Sequence, residues 1–233
     1  MPNVVTADQW LQTRKSLLVK EKAFARARED LAAERRAQPW TPVSKDYVFE
    51  TPDGRQGLGD VFGRHSQLVV YHFMYTPEAK QACKICSFWA DTFANTGAHL
   101  AARDVALVAI SRAPLAKLEA FKSRQGWTFP WVSSGEGDFN YDFGVSFTQA
   151  QVASGQALYN YGSARPRGES PGLSVFAKGA GGAVFHTYST YGRGLDPVNS
   201  AYQILDLTPK GRDETHLPFS MHWVDLREDY DRV

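Results

Sequence analysis

The chain has 233 residues, 43% hydrophobic and 13% aromatic, enough to bury one sizeable core. Its 26 basic residues nearly balance 25 acidic ones, leaving a net charge of +1, so no bulk field draws it to nucleic acid or an anionic membrane. No run approaches the roughly 18 apolar residues of a membrane span, and the start MPNVVTADQWLQTRKSLLVKEK lacks the basic-then-apolar plan of a secretory signal; a cytoplasmic protein with no membrane or nucleic-acid partner is expected.

Between Ala7 and Arg36 there is neither Gly nor Pro, and Trp10, Leu17, Phe24 and Leu31 recur every seven residues. This spacing predicts a long helix with one narrow apolar stripe, started by Thr6 or Asp8 and stopped by Pro39. The stripe has two readings: packing on the protein's own core, or the seam of a homodimer, since seven-residue spacing resembles a short coiled-coil edge. Residues 1–40 are therefore assigned to a helical arm.

After the linker QPWTPVSKD, short strands and helices alternate. YVFETPDG predicts a strand and turn, and SQLVVYHFMY, uncharged from Ser66 to Tyr75, a strand covered on both faces. CKICSFWADTFANTGAHLAAR follows as one helix with Phe88, Trp89, Phe93 and Leu100 inward, and DVALVAIS as a second buried strand. Strand, helix and strand of this length make a right-handed parallel crossover. PLAKLEAFKSRQGW is a helix with proline at its start and glycine at its end, and TFPWVSS a short strand. Residues 135–172 form a long aromatic, Gly-rich excursion, functional or carrying short helices of its own.

LSVFAKGAGGAVFHTYSTY predicts a hairpin turning at Gly179–Gly182. Its GAGG is no dinucleotide fingerprint, because Val184 stands in the sixth position and strand-like sequence follows. DPVNSAYQILDLTP is a last helix, and residues 211–233 a mixed tail. Residues 41–210 thus form one α/β domain, a mixed sheet flanked by helices and closed by an antiparallel hairpin.

The only two cysteines, Cys83 and Cys86, stand three apart at the strand-to-helix junction. Such a pair reads as a dithiol. At the mouth of a helix Cys83 faces unpaired N–H groups and the positive end of the helix dipole, which favour thiolate over thiol, so it is the attacking sulfur. Cys86, one turn on, is placed to resolve a mixed disulfide. Zinc lacks ligands at the usual spacing, and c-type haem needs a histidine where Ser87 stands, so no metal or cofactor is expected. His72, on the strand leading to the cysteines, is either a proton shuttle for them or a satisfied core histidine. His186, in the hairpin, reads as a core histidine.

The buried strand, Cys-x-x-Cys helix and closing hairpin resemble the thioredoxin superfamily. More closely, YHFMY, CSFWAD, HLAARDVALVAISRAPLAKLEAFKSRQGWTFPWVSS, DFNYDF and VFHTYSTYGRGLD resemble a bacterial domain-of-unknown-function family described as thioredoxin-like, predicted dithiol-disulfide oxidoreductases. The resemblance implies a thioredoxin-like fold and disulfide exchange through Cys83 and Cys86 with a disulfide-containing protein or a small thiol or peroxide. It also implies a counterpart to the cis-proline of thioredoxins at Pro171, in ESPGLSVF, an ordinary trans proline being the alternative. Lys84-Ile85 stands where thioredoxins have Gly-Pro, and Pro77 where they have an acid. Peroxiredoxins are the enzymatic alternative, but their Thr and Pro, three and seven places before the reactive cysteine, are Lys80 and Thr76 here. A non-catalytic scaffold is the other alternative, with Phe139, Tyr141, Phe143, Phe147, Tyr159, Tyr161, Trp127 and Trp131 lining a ligand site or filling the core.

Overall fold

A capping box opens the first helix: Thr6 Oγ1 accepts from Gln9 N at 3.3 Å, and Gln9 Oε1 from Thr6 N at 3.1 Å. Thr6, not Asp8, is therefore the cap of α1 (Ala7–Ala37). The helix ends at Gln38, where the following proline disfavours helical backbone. The computed structural model describes residues 3–166 and 168–232, with side chains to residue 230. It divides into two compact units, Met1–Pro39 and Trp40–Val233. Among the described residues no helix is long and apolar enough to cross a membrane.

The second unit begins with β1 (Thr41–Pro42), inside the stretch expected as linker, then the hairpin β2 (Val48–Thr51) and β3 (Gly54–Gly57) and a single turn, α2 (Leu58–Val61). The uncharged run forms β4 (Gln67–His72). The helix expected over 83–103 is two, α3 (Lys84–Phe93) and α4 (Gly97–Ala101). The break has a side-chain cause: Thr96 Oγ1 donates to Phe93 O at 3.0 Å and Thr128 Oγ1 to Ala94 O at 2.9 Å, taking carbonyls that a continuous helix would use. β5 (Val105–Ser111) precedes α5 (Leu115–Gln125), which starts after Pro114 and ends on Gly126 at φ 67°, the left-handed cap that glycine adopts freely. β6 (Trp131–Ser133) follows. The excursion carries α6 (Phe139–Asp142) and α7 (Gln149–Ala153), then β7 (Gly172–Lys178), β8 (Val184–Tyr191) and α8 (Ser200–Leu205) close the order.

All eight strands form one sheet in the order β1-β8-β7-β4-β5-β6-β2-β3. β4, β5 and β6 are parallel, with Val70 opposite Val108 and Ala109 opposite Trp131, while β7 runs antiparallel to β4 and β8 to β7. The inner set β8-β7-β4-β5 is the expected thioredoxin-like arrangement. β1 on one edge and the β2–β3 hairpin on the other widen it.

Period-two alternation along β4 separates two cores. Tyr71 and Phe73 point to the layer formed by α3, α5 and α8, where Trp89, Phe93, Leu118, Phe121, Trp131 and Tyr202 are buried. Leu68 and Val70 point to the other, with Phe49, Phe62, Ile110, Phe139 and Phe176. The C-terminal stretch is part of the first layer: Val224 and Leu226 are buried, and Trp223 meets Phe88 edge-on with centroids 5.4 Å apart.

Gly172 sits where β7 meets β8, and a Cβ there would lie 2.8 Å from Tyr191 Cδ1 and 3.0 Å from Val145 Cγ1. Gly172→Ala is expected to cost about 1–3 kcal/mol by overpacking, read as a lower urea midpoint with unchanged m-value.

Candidate functional site

Cys83 is the N-cap of α3, in extended backbone, and its sulfur accepts from Cys86 N at 3.4 Å. The loop between β4 and α3 is fixed from several sides. Cys83 N donates to Met74 O at 3.4 Å and Ala113 N to Tyr75 O at 2.8 Å. From α5, Lys117 Nζ donates to Pro77 O at 2.6 Å and Ala79 O at 3.2 Å. Ser111 Oγ holds Phe73 O at 2.6 Å. The cap residue is therefore built into the sheet's end, although its segment is a loop.

The two thiols are free and unequal. Cys83 is half-buried, and its pKa is held down to about 7, first by the Cys86 thiol hydrogen-bonded to its sulfur, against the opposing effect of burial. The N–H groups of Cys86 and Ile85 and the charge of Lys84 add to the lowering. Cys86 is 1% exposed, and burial pushes its thiol well above the ordinary range, with the Cys83 sulfur acting in the same direction. One sulfur is thus prepared as a thiolate and the other kept as a thiol.

Tyr71, beneath the helix, donates from its hydroxyl to Cys86 O at 3.1 Å. Nothing in the sequence singled it out except that it shares a strand face with Phe73. Tyr159, from the excursion, also reaches this end of the sheet. Its hydroxyl donates to Pro171 O and accepts from Gly192 N at 2.7 Å, tying together the segments before β7 and after β8. On the outer side Lys84 lies 3.7 Å from Asp225.

The remaining expected site residues fare differently. Pro171 does come beside Cys86, lining a shared cavity. Its peptide bond is trans, since no peptide bond among the described residues is cis, so the cis geometry is not adopted. A trans bond is the lower-energy state of X–Pro by about 0.5–1 kcal/mol, and the Pro171 carbonyl, on the following peptide, accepts from the Tyr159 hydroxyl.

His72 is not brought to the dithiol. It points to the opposite face from Tyr71, against the rings of Phe139 and Phe143, with centroids 5.6 and 6.2 Å away. Its Nε2 begins a buried chain through Ser174 Oγ (2.8 Å) and Ser189 Oγ (2.8 Å) to His186 Nε2 (2.7 Å). Burial, with His186 nearby, lowers its pKa to about 3, so it stays neutral. Its ring thus lies on the other face of the sheet from the core layer that holds Cys86. The rings of the excursion and those just upstream mostly pack inward: Phe139 and Tyr159, with Trp127 and Trp131 before them, are buried, whereas Tyr161 is exposed. None of the eight lines the cavity beside Cys86.

Comparison with known proteins gives a family. The chain belongs to the family described as "Bacterial protein of unknown function (DUF899)", which it matches over residues 1–230. No curated protein matches it. Among solved structures, the peroxidoxin BcpB from Mycobacterium tuberculosis is similar at 16% identity and TM-score 0.45, over 72% of this chain and 97% of that one. Peroxiredoxin Q from Xanthomonas campestris is similar at 15% identity and TM-score 0.48, over 72% of this chain and 97% of that one. A hypothetical protein, SMc02350 from Sinorhizobium meliloti 1021, is similar at 13% identity and TM-score 0.37, over 60% and 68%.

Two measurements check the site. Thiolate absorbance near 240 nm is expected to rise through a single step near pH 7, absent in Cys83→Ser and retained in Cys86→Ala with its midpoint moved upward, because the Cys86 thiol no longer donates to the sulfur. Tyr159→Phe removes the hydroxyl between Pro171 and Gly192 and is expected to cost about 1–3 kcal/mol in urea unfolding.

Proposed function

We propose that the protein is a thiol–disulfide oxidoreductase in which Cys83 attacks a disulfide and Cys86 resolves the product. The observation that carries this reading is the inequality of the sulfurs: a half-buried Cys83 favoured as thiolate, and one turn along a buried Cys86 favoured as thiol. Attack rate follows thiolate fraction, and resolution requires a second sulfur near enough to strike the first. The hydrogen bond from Cys86 N to Cys83 Sγ supports that closeness.

In the forward step Cys83 Sγ bonds to one substrate sulfur and the other leaves as thiolate. Cys86 then gives its proton to solvent and bonds to Cys83 Sγ, releasing the second substrate thiolate. His72 takes no part. The Lys84–Asp225 pair partly offsets the Lys84 charge that would otherwise favour the thiolate; at a half-exposed position its effect is small.

A half-buried thiolate is also able to attack a peroxide, which makes thiol peroxidase activity the second reading. Reduced protein treated with equimolar bis(2-hydroxyethyl) disulfide is expected to lose two thiols and two hydrogens by mass, forming an intramolecular Cys83–Cys86 bond. Cys83→Ser is expected to lose at least a hundredfold in rate. Cys86→Ser is expected to stop at a one-to-one mixed disulfide. If hydrogen peroxide oxidises the dithiol while the disulfide leaves it untouched, the peroxidase reading replaces the exchange reading; if Cys83→Ser equals wild type with both, neither stands.

A further inference from the structure

A cavity of about 160 Å³ opens against the buried side of Cys86. Ile85 and Cys86, in the first turn of α3, form one wall; Tyr71, Trp89, Pro171 and Leu195 form much of the rest. Its polar atoms are already engaged. The Tyr71 hydroxyl donates to Cys86 O at 3.1 Å and Trp89 Nε1 to Leu195 O at 2.9 Å. Where the lining turns polar, Arg193 Nε donates to Asp196 Oδ2 at 2.7 Å, and Arg212 Nη1 to the same oxygen at 2.9 Å. Among the described residues, the buried side-chain atoms without a partner are in other residues, none of them lining this cavity. An ion placed against Tyr71, Ile85, Trp89 and Leu195 would lose its hydration, because the charged residues of the lining, Arg193 and Asp196, already pair with each other.

Size sets the other limit. An apolar cavity of about 150 Å³ holds one benzene molecule. This one therefore has room for a single six-membered ring or a branched chain of similar bulk. Cys86, the second cysteine of the pair, is among its lining residues, which distinguishes it from a packing defect elsewhere in the core.

We propose that this cavity receives the uncharged, benzyl-sized hydrocarbon group of a small organic disulfide, holding it beside Cys86 while its sulfur is bonded to Cys83. The proposal rests on the exchange reading above and supplies its substrate class. Cys83 thiolate attacks one sulfur of dibenzyl disulfide; the S–S bond breaks, a benzylthiol–Cys83 mixed disulfide forms, and one benzylthiolate leaves and takes a proton from water. With the retained ring in the cavity, Cys86 loses its proton to solvent and attacks Cys83 Sγ. The mixed bond breaks, the Cys83–Cys86 bond forms, and the second benzylthiolate leaves and is protonated. Two electrons pass from the protein dithiol to the substrate, and two thiols become one protein disulfide as one substrate disulfide becomes two thiols.

The test has a binding arm and a reaction arm. Benzyl alcohol, which cannot react, is titrated into the reduced protein and into Cys83→Ser while the Trp89 indole and Leu195 methyl signals are followed by NMR. Saturable shifts are expected in both, weakened at least tenfold by Ile85→Phe, which fills the cavity from its outer wall; Leu195→Phe serves if that variant does not fold. In the reaction arm, single-turnover rates with dibenzyl disulfide, bis(2-hydroxyethyl) disulfide and cystine are each divided by the rate with free dithiothreitol. The benzyl compound is expected to lead hydroxyethyl at least tenfold and cystine further, and Ile85→Phe to erase most of that lead. Equal normalised rates with no saturable shift overturn the cavity proposal and leave exchange standing. Saturable shifts with no oxidation by any disulfide overturn the exchange reading, and the substrate class with it.

Discussion

The backbone N–H of Cys86, aimed at the sulfur of Cys83 across 3.4 Å, is the contact on which the site depends. A helix leaves its first N–H groups without partners, and an N-cap side chain normally satisfies one of them with oxygen. Here sulfur takes that place. The same contact starts α3, fixes the direction of Cys83, and adds to the Cys86 thiol's larger effect in favouring negative charge on the one thiol that solvent reaches. It holds because the loop leading to it is fastened by Lys117, Ser111 and the backbone of Met74 and Tyr75. The geometry of the reactive sulfur is thereby set by the sheet's end and by α5.

Burial then separates the ionisation of the two sulfurs. Cys86, on the inner face of α3, packs among Tyr71, Trp89 and the rest of that core layer, where a charged thiolate is disfavoured. The alternation of β4 assigns Tyr71 to this layer and His72 to the other, so the strand separates the dithiol from the His72–Ser174–Ser189–His186 chain. That chain satisfies the two serine hydroxyls and the Nε2 atoms of both rings, while His72 Nδ1 stays buried without a partner. It is a structural device for three strands.

Much of this was legible in the sequence because local rules decide it. The Cys-x-x-Cys spacing, the uncharged β4 run, and Pro114 and Gly126 around α5 each carry their own structural instruction. What was not legible depends on residues distant in sequence. The break after Phe93 needs Thr128 to reach Ala94, and β1 forms only because β8 offers an edge to Thr41 and Pro42. The side to which His72 points cannot be read from a strand apolar on both faces, since no polar alternation marks it. The contact that ties Pro171 to Gly192 comes from a hydroxyl contributed twelve residues before the proline. The cavity beside Cys86 gathers its wall from α3, the residue before β7 and the turn after β8, and no window of sequence contains all three.

In the proposed exchange the sulfurs have fixed, unequal roles, which an adduct map reads directly. Cys86→Ser and Cys83→Ser are each mixed at pH 7 with a chromogenic aromatic disulfide, and the adducts are timed by absorbance and located by peptide mass. A rapid, stable adduct on Cys83 is expected in the first variant, and labelling slower by at least a hundredfold in the second. Equal rates on the two cysteines, or faster labelling of Cys86, would contradict it.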